Sequence, residues 1–370
     1  MKILQISDLA PPHLGGVERV VWKYSTLLAN RGNDVSILTS LIKGSKSKEE
    51  IENVRFFRVP KYMLLFSSLY TKNFEIVHTH SYLSFPILGF EKKLRDTPVI
   101  KHIHSVYGEE LEEFTGWSVS KIFSKMERYL VNADCSAYIV PSNFTRSRLL
   151  DMGVKKEIYV VPHGVEYNYF PPKEIARKRI GINENSKVIG FIGRMSMGKG
   201  PQDIAKIWAD IKKEIPNAIL IFIGPEPDIS TSGIRGNTDF VKKILIENNS
   251  IKDVIFAGKV EDDILPYYIS AFDVYVAPSL NEGFGISILN SMAAGVPVVA
   301  YKNTAIPEIV DDTGILVETK NLEKLKESII NVIEDENLRK ELSLRSKERA
   351  SSYTWEKSVE KLLEIYSQYV

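Results

Sequence analysis

The sequence predicts an α/β protein with two Rossmann-like domains, each built around a parallel β-sheet. A chain of 370 residues is too long for one ordinary hydrophobic core. Short apolar runs alternate with longer stretches of helical periodicity, which is typical of a parallel sheet covered on both faces. This alternation is interrupted near Pro171 and Pro172 and then starts again. These three observations indicate two similar α/β halves in series.

The first half contains a series of predicted strands separated by helices. The strands are expected at residues 2–7, 34–39, 54–59, 74–78, 99–103, 137–140 and 158–161. The helices are expected at 16–31, 82–95, 108–132 and 143–152. Because these strands are apolar along their whole length, we expect helices on both faces of the sheet.

The second half repeats the pattern after a linker at 164–183, so we place the domains at 1–168 and 169–353. Its strands are expected at 187–193, 218–223, 254–257, 274–277, 298–301 and 315–317. Its helices are expected at 201–213, 239–248, 262–270 and 286–294. The last segment, 354–370, is predicted to be an amphipathic helix with Thr354 as its N-cap. Two such halves predict a ligand site in a cleft between them.

Composition excludes several broad classes of function. Lys plus Arg number 48 and Asp plus Glu number 47, so the chain has no overall charge bias towards nucleic acid. The single cysteine, Cys135, cannot form an intramolecular disulfide and suits a reducing compartment. The first residues read as a strand rather than a signal peptide, and the apolar run at 62–70 is too short to span a bilayer. We therefore expect a cytoplasmic protein that could still touch a membrane surface.

A basic, glycine-rich turn follows the first predicted strand of the second half. It contains Gly193, Arg194, Lys199 and Gly200, and a helix begins directly after it. Glycines let a ligand approach the backbone, and a helix N-terminus offers unpaired N–H groups to an anion. The forked guanidinium of Arg194 and the compact charge of Lys199 both suit phosphate. Taken alone, such a turn is as compatible with a solvated surface loop as with a phosphate site.

A second glycine-rich turn, residues 278–285, follows a later strand of the same predicted sheet. Its Glu282 precedes a helix N-terminus, where the charge could simply stabilise the helix by under about 1 kcal/mol. Alternatively, Glu282 binds sugar hydroxyls while the N–H groups from Phe284 to Ile286 hold a diphosphate. Neither turn has the P-loop or dinucleotide-binding pattern, which disfavours ATPases and NAD-dependent enzymes. Since no Asp-x-Asp pair accompanies the turns, we expect side-chain cations rather than a metal to stabilise a leaving diphosphate.

Several motifs in a fixed order make the chain resemble the retaining nucleotide-sugar transferases of glycosyltransferase family four. These motifs are residues 15–18, 161–165, 193–200, 278–285, 292–299, 306–310 and 355–356. The resemblance covers nearly the whole chain and implies the GT-B fold, with two Rossmann-like domains facing each other across a cleft. It also implies retention of anomeric configuration and a last helix, 354–370, that returns to the first, acceptor-side domain.

The resemblance implies a role for individual residues. Arg194 and Lys199 match the pair that contacts the donor diphosphate, and Glu282 matches the glutamate that faces the transferred sugar. Gly16 matches a loop glycine whose backbone approaches phosphate or acceptor, and His104 matches a histidine near the reacting sugar. The expected catalytic residues are therefore Glu282, His104, Lys199 and Arg194. The expected donor-binding residues are Gly16, Gly193, Arg194, Lys199, Glu282, Gly283, Phe284, Gly285, Ile286 and Asn290.

Asn290 departs from the family pattern. The family places a second glutamate there, which bonds the ribose hydroxyls of the donor. An asparagine can donate and accept hydrogen bonds but carries no charge. This departure weakens the prediction of ribose binding and of which nucleotide is bound. It also makes a catalytically inactive member of the family more plausible, although Arg194, Lys199 and Glu282 are all present.

All six histidines fall in the first half, at or near the ends of predicted strands, where a parallel sheet opens onto its ligand crevice. They are His13, His78, His80, His102, His104 and His163. Residues two apart in an extended chain share one face, so two His-x-His pairs are formed and a metal site is conceivable. No carboxylate or cysteine accompanies them at ligand spacing, so lining or structural roles are favoured and no metal is expected. The expected acceptor-side residues are His13, His80 and Tyr107.

The expected function is metal-independent, retaining transfer of a hexose from a UDP or GDP sugar to a glycan or lipid-linked acceptor, without a cofactor. Three alternatives remain: a nucleotide-sugar epimerase of the same fold, a non-catalytic nucleotide-sugar-binding protein, and a metal hydrolase built on the histidine pairs. The aromatic stretches 62–70 and 107–117 could stack an acceptor sugar or rest on lipid.

Overall fold

The computed structural model describes residues 1–13, 15–85, 97–106, 117–226 and 236–370, which divide into two units. The first unit contains Met1–Gly164 and Thr354–Val370, and the second contains Val165–Tyr353. The first boundary therefore falls at Gly164 rather than at residue 168. The last segment of the chain belongs to the first unit.

The first unit is built on a sheet that has eight strands within the described residues, in the order β3-β4-β2-β1-β5-β6-β7-β8. The strands are Lys2–Ile6 (β1), Asp34–Ser40 (β2), Lys48–Ile51 (β3), Val54–Val59 (β4), Ile76–Thr79 (β5), Val99–His102 (β6), Ala137–Val140 (β7) and Ile158–Val160 (β8). All neighbours are parallel except β3 and β4. The antiparallel β3 was not predicted, because its sequence of Lys48, two glutamates and Ile51 is mostly polar at the edge of the sheet.

Helices of the first unit cover this sheet. They are Gly16–Asn30 (α1), Trp117–Asn132 (α2), Asn143–Asp151 (α3) and Trp355–Tyr366 (α12), with 3-10 segments at Lys61–Tyr70 and Tyr82–Ser84. The predicted helix at 82–95 begins as the second of these 3-10 segments and then lies outside the described residues, as does the start of the predicted helix at 108–132. Thr354 caps α12 as predicted, since its Oγ1 accepts the backbone N–H of Lys357 at 3.3 Å.

The second unit is built on a fully parallel sheet with the order β11-β10-β9-β12-β13-β14 among the described residues. Its strands are Lys187–Ile192 (β9), Ala218–Ile223 (β10), Val254–Gly258 (β11), Val274–Ala277 (β12), Val298–Tyr301 (β13) and Ile315–Val317 (β14). Apolar clusters lie on its two faces, one around Trp208 and the other around Phe272. This confirms the predicted fold class of two Rossmann-like parallel-sheet domains.

The described part of the second unit contains more helices than the four predicted. They are Lys173–Ile180 (α4), Pro201–Glu214 (α5), Thr238–Glu247 (α6), Leu265–Ala271 (α7), Ile286–Ala293 (α8), Ile306–Val310 (α9), Leu322–Glu334 (α10) and Glu336–Ser351 (α11). The helix α4 lies inside the segment predicted to be a linker, because its mostly charged sequence gives little apolar periodicity. It packs onto α7, and its Arg177 donates to the Ala271 carbonyl at 3.2 Å.

The strand orders place a switch point in each sheet. In the second unit the chain leaves the central β9 for β10 on one side, and β12 later returns on the other side. In the first unit β1 lies between β2 and β5 in the same way. Ligands of doubly wound sheets bind beyond the carboxyl ends of the strands that flank such a point. The segments after β9 and β12, and those after β1 and β5, are therefore the positions to inspect for function.

Candidate active site

Two glycine-rich turns meet at the switch point of the second unit. The turn 193–200 follows β9 and the turn 278–285 follows β12, and the Leu280 N–H donates to the Gly198 carbonyl at 2.8 Å. Gly200 has φ +75°, and a Cβ there would lie only 2.1 Å from the Pro278 carbonyl oxygen. Only glycine fits this position, both because of the close contact and because of the left-handed backbone. The contact between the two turns therefore requires a glycine at position 200.

A third loop supports the first turn. The Gly193 N–H donates to the Ile223 carbonyl at 2.9 Å, and the Met195 N–H donates to the Pro225 carbonyl at 3.0 Å. A Cβ at Gly224, which has φ +139°, would lie 2.0 Å from the Gly193 carbonyl oxygen. Gly224 was not singled out from the sequence, because an isolated glycine after a strand carries no specific motif.

Lys199 and Glu282, both predicted site residues, form an ion pair across the two turns. The Lys199 Nζ lies 2.6 Å from Glu282 Oε1, with side chains 21% and 13% exposed. The same carboxylate oxygen accepts the Ser279 hydroxyl at 3.0 Å, and the Glu282 N–H donates to Thr304 Oγ1 at 3.0 Å. Ser279 lies within the predicted turn 278–285 but was given no role, and Thr304 was not singled out from the sequence. The result is a fixed cation and a fixed anion in contact at the carboxyl edge of the sheet.

The other predicted donor residues of the second unit lie in the same two turns and on α8. Arg194 is exposed in the first turn. Gly285, with φ +99°, forms the N-cap of α8, and its carbonyl accepts the first intrahelical bond from the Leu289 N–H at 3.0 Å. The N–H groups from Ile286 onward in the first turn of α8 therefore have no acceptor within the helix. The Phe284 ring is buried and packs against Tyr353 at a centroid distance of 6.0 Å, so it supports the turn from the core side.

Asn290 is buried on α8 and contacts the start of the second unit. Its side-chain Oδ1 accepts the backbone N–H of Glu166 at 2.8 Å, and the residue is 5% exposed. The amide oxygen is thus already used within the protein, and only the NH2 group could donate to a ligand. This contact was not expected from the sequence, because the two residues lie far apart in the chain.

Five of the six histidines form one buried cluster at the switch point of the first unit. The members are His78, His80, His102, His104 and His163. As predicted for alternate residues, His78 and His80 are neighbours, with ring centroids 4.4 Å apart, and His102 and His104 are 4.1 Å apart. The sixth, His13, is exposed, and its Nδ1 lies 3.6 Å from Glu18 Oε1. Tyr107 lies outside the described residues.

Burial keeps the clustered imidazoles neutral. Desolvation lowers the pKa of His104 to about 3, and desolvation together with the neighbouring His104 lowers the pKa of His78 to about 3. The pKa values of the other three members fall well below 6.5 for the same reason. Each ring therefore carries one N–H group and one bare nitrogen.

The cluster brings together several nitrogen atoms that could bind a metal ion, but two of its ring pairs are nearly parallel. Potential ligand atoms of His102, His104 and His163 lie within 4.8 Å of one another, as do those of His78, His80 and His102. However, the stacked rings of His102 and His104 are inclined by only 7°, and those of His78 and His102 by 11°. An imidazole binds a metal in its own ring plane, and nearly parallel stacked planes do not meet at one ion. These two pairs are therefore poorly oriented to share one ion, whereas the other ring pairs of the two groups are inclined by 27° to 36°.

Hydrogen bonds connect the cluster to two residues that sequence reasoning missed. His80 Nδ1 lies 2.8 Å from His104 Nε2, and His80 Nε2 lies 2.9 Å from Gln5 Oε1 on β1. The Tyr366 hydroxyl of α12 lies 2.6 Å from His78 Nδ1. Gly16 begins α1, and no heavy atom lies within 4 Å of a Cβ placed there, which leaves its backbone accessible.

Two family models match the chain in succession. The model described as Glycosyltransferase Family 4 matches residues 14–169, and the model described as Glycosyl transferases group 1 matches residues 172–349. The alpha-monoglucosyldiacylglycerol synthase of Streptococcus pneumoniae is 27% identical over 84% of this chain and 74% of its own. An uncharacterized glycosyltransferase of Methanocaldococcus jannaschii is also 27% identical, over 97% of this chain and 96% of its own.

Solved structures share the fold over the full length. Sucrose-phosphate synthase from Thermosynechococcus elongatus superposes with a TM-score of 0.85 at 21% identity, over 99% of this chain and 98% of that chain. HepE from Anabaena in complex with UDP-glucose superposes with a TM-score of 0.82 at 19% identity, over 100% of both chains. Among the described residues, none of the helices combines the length and the apolar character needed to cross a bilayer.

Proposed function

Because this chain belongs to the glycosyltransferases of group 1 and family 4, we propose that it moves a hexose from a nucleoside-diphosphate sugar to a glycan or lipid-linked acceptor with retention of configuration. The observation that carries this proposal is the Lys199–Glu282 pair beside the α8 N-terminus at the switch point of the second sheet. A diphosphate needs fixed positive groups and a sugar needs hydrogen-bonding carboxylates. The pair supplies one of each.

The proposed chemistry is departure of the diphosphate while the anomeric carbon gains oxocarbenium character. Arg194, Lys199 and the α8 N–H groups stabilise the negative charge that develops on the leaving group. Glu282 accepts hydrogen bonds from the sugar hydroxyls. In the free chain its carboxylate and the Lys199 ammonium neutralise each other at 2.6 Å. Donor binding exchanges this contact for Lys199 to phosphate and Glu282 to sugar.

Retention follows if the acceptor attacks from the face that the diphosphate leaves. Among the described residues of the two turns, Glu282 is the only carboxylate, and it already accepts Lys199 and Ser279. Same-face attack assisted by the leaving phosphate is therefore proposed in place of a covalent intermediate.

The proposed transfer needs no metal ion, because the fixed cations supply the positive charge. We expect saturating EDTA to leave the transfer rate unchanged. A loss of activity that added Mg²⁺ restores would contradict metal independence.

The nucleotide is proposed to be of the UDP or GDP type. HepE was solved with UDP-glucose, and a relative in Mycobacterium tuberculosis, 22% identical, is named as a GDP-mannose-dependent mannosyltransferase. Asn290 would reach the ribose through its NH2 group, because its oxygen accepts the Glu166 N–H. A thermal-shift series with UDP, GDP and their sugars identifies the base, since binding to the folded chain raises its melting temperature.

An exposed surface of the first unit supports a lipid-linked acceptor. Every exposed side chain of α2 between residues 121 and 130 is basic or apolar, namely Lys121, Ile122, Lys125, Met126, Arg128 and Tyr129. The 3-10 segment Lys61–Tyr70 exposes Tyr62, Leu65, Phe66 and Leu69. A basic amphipathic helix with aromatic side chains is typical of binding to an anionic membrane surface. The proposed location is the cytoplasmic face of a membrane, where the single cysteine would stay reduced.

Flotation with liposomes tests the membrane part of the proposal. The chain should float with vesicles containing anionic lipid at low salt, and Lys125→Glu should weaken flotation. Failure of the wild-type chain to float at low salt would remove the lipid surface from the proposal and leave a soluble glycan as acceptor.

Two substitutions test the donor site. Lys199→Ala and Glu282→Ala should each lower kcat/KM by roughly 100-fold to 1000-fold, the usual cost of removing one group that stabilises transition-state charge. Lys206→Ala is the matched control, because Lys206 also pairs with a carboxylate, that of Asp203 at 2.9 Å, but lies along α5 beyond the turn. It should keep wild-type turnover. Wild-type turnover in Lys199→Ala or Glu282→Ala would show that the site assignment is wrong.

Measuring donor turnover with and without an acceptor separates the epimerase and the non-catalytic protein from the proposed transferase. A nucleotide-sugar epimerase converts the donor when no acceptor is present, whereas the proposed transferase needs both. A non-catalytic protein would show a thermal shift with the donor and no turnover with any acceptor.

A further inference from the structure

A row of hydrogen bonds runs from the buried core of the first unit to His104. Its contacts are Gln5 Nε2 to the Tyr366 hydroxyl at 3.4 Å, His80 Nε2 to Gln5 Oε1 at 2.9 Å, and His80 Nδ1 to His104 Nε2 at 2.8 Å. Gln5 and Tyr366 are fully buried, whereas His104 is half-buried. The row therefore ends at a group that a ligand can reach.

The orientation of the Gln5 amide determines the position of each proton along the row. Its oxygen faces His80 and can only accept, so His80 must carry its proton on Nε2. A neutral imidazole has one proton, so His80 Nδ1 is bare and accepts from His104. His104 then carries its proton on Nε2, and its Nδ1 is left as a bare acceptor. Burial lowers the pKa of both histidines, so both rings stay neutral and each carries only one proton.

We propose that Gln5 is a positioning residue that acts through His80 to fix the tautomer of His104, with the proton on Nε2 and the lone pair on Nδ1. The side of the ring that faces away from His80 then accepts a hydrogen bond from a substrate hydroxyl and cannot donate one. This inference deepens the proposed function, on which the relevance of His104 to sugar binding rests. In this orientation the Gln5 NH2 group donates to the Tyr366 hydroxyl at 3.4 Å.

The opposite polarity is the only other arrangement that satisfies the same contacts. Turning the Gln5 amide would place its NH2 group towards His80 and would reverse each bond in the row. His104 would then donate from Nδ1. The Gln5 amide lies with Oε1 2.9 Å from His80 Nε2 and Nε2 3.4 Å from the Tyr366 hydroxyl, which corresponds to the first arrangement. The Tyr366 hydroxyl, 2.6 Å from His78 Nδ1, can both donate and accept and fits either arrangement, so the NMR measurement below decides between them.

Nitrogen NMR of the ¹⁵N-histidine-labelled chain tests the proposal without any use of activity. Long-range ¹H–¹⁵N correlation distinguishes protonated from bare ring nitrogens, and the His104 signals are assigned by their loss in His104→Gln. The wild-type chain should show His104 protonated on Nε2 only. A proton on Nδ1, or an even mixture of tautomers, would overturn the proposal, whatever the variants do.

Variants test the causal part. Gln5→Leu should release the constraint and give a mixture of His104 tautomers, whereas Gln5→Glu should keep the wild-type tautomer, since a carboxylate still accepts from His80 Nε2. Tyr366→Phe should allow the amide to turn and add the second tautomer. Tyr24→Phe is its matched control, because that buried hydroxyl contacts only the neighbouring His163, at 3.4 Å, among the histidines. Unchanged His104 signals in Gln5→Leu would refute the role of Gln5.

Transfer kinetics separate this inference from the proposed function. If His104 contacts the sugar, Gln5→Leu should lower kcat roughly tenfold, the effect of one hydrogen bond, and Gln5→Glu should restore most of the loss. A changed tautomer with unchanged kcat would support the tautomer assignment and count against the proposed sugar contact of His104.

Discussion

The buried histidine cluster makes the stability of the chain sensitive to mild acid. Its five members are held neutral by burial, and desolvation lowers the pKa of His78 and His104 to about 3. In the unfolded chain the same side chains have pKa values near about 6.5. Between these limits the unfolded state binds more protons, so the free energy of unfolding rises with pH. The contribution is complete above about pH 7 and is lost progressively as the pH falls below about 6.5.

The size of this loss follows from the difference in proton binding. At pH 5.5 a histidine that is neutral in the fold and has an unfolded pKa of about 6.5 costs roughly 1.4 kcal/mol. Because burial acts in the same direction on all five side chains, we expect a combined cost of several kcal/mol, which is a large part of the stability of an ordinary domain. Acid should therefore unfold the first unit before carboxylates begin to titrate.

Urea unfolding at pH 7.5, 6.5 and 5.5, monitored by tryptophan fluorescence, measures this loss of stability. Three of the four tryptophans, Trp22, Trp117 and Trp355, belong to the first unit and report on it. The urea midpoint should fall steeply over this range. The same midpoint at all three pH values would refute the conclusion that the cluster stays neutral.

His102→Phe is the matched variant. Both His102 ring nitrogens are buried without a hydrogen-bond partner in the described part of the chain, so the substitution removes a titrating group and no hydrogen bond. Whatever it does to absolute stability, the loss between pH 7.5 and 5.5 should shrink by about 1.4 kcal/mol. An undiminished loss would mean that another group takes up the proton.

Two further predictions concern the second unit. Asp273→Asn should lower the free energy of unfolding by about 3–5 kcal/mol, because Lys173 and Arg177 lie 2.9 and 2.7 Å from this buried carboxylate and would lose its charge. Thermal unfolding measures this loss. The control is Asp210→Asn, which removes an exposed ion pair with Lys213 and should leave the melting temperature unchanged. Gly200→Ala should lower both the melting temperature and donor affinity, because its Cβ would meet a backbone carbonyl. Gly181→Ala, at φ +72° with open space around it, should cost only about 1–2 kcal/mol and leave donor affinity intact, and equal effects of the two would contradict the interlocked turns.

The pH dependence of Asp273 has the same sign by a different route. Burial raises its pKa, but the charges of Lys173 and Arg177 and the Val188 N–H outweigh burial, so the net pKa is lowered. Its contribution to stability is therefore present above about pH 4 and is lost as the pH falls through the folded pKa.

Local patterns in the sequence were enough to place the two glycine-rich turns at the ends of strands. Both glycine-rich turns follow strands because apolar β-rich runs end at them, and the confirmed parallel sheets bring strand ends to one edge. The neighbouring positions of His78 and His80, and of His102 and His104, follow from the alternation of an extended chain.

Contacts between distant strands could not be predicted. The Lys199–Glu282 pair exists because β9 and β12 are neighbours, although two strands separate them in sequence. The bond between His80 and Gln5 likewise depends on β1 lying beside β5. The contact of Asn290 with the Glu166 backbone is of the same kind. Strand order in a parallel sheet is set by packing of the crossover helices, which a single sequence does not display.

The first unit is made of two separate stretches of chain, and this has a consequence for synthesis. The second unit, Val165–Tyr353, is continuous and can be completed before residues 354–370 are translated. The first unit lacks α12 until residues 354–370 are translated, and with it Trp355, which stacks on His163, and Tyr366, which contacts His78. The half made first is thus the half finished last. Until α12 is made, the histidine rings lack the aromatic side chains that shield them from water and therefore from protons.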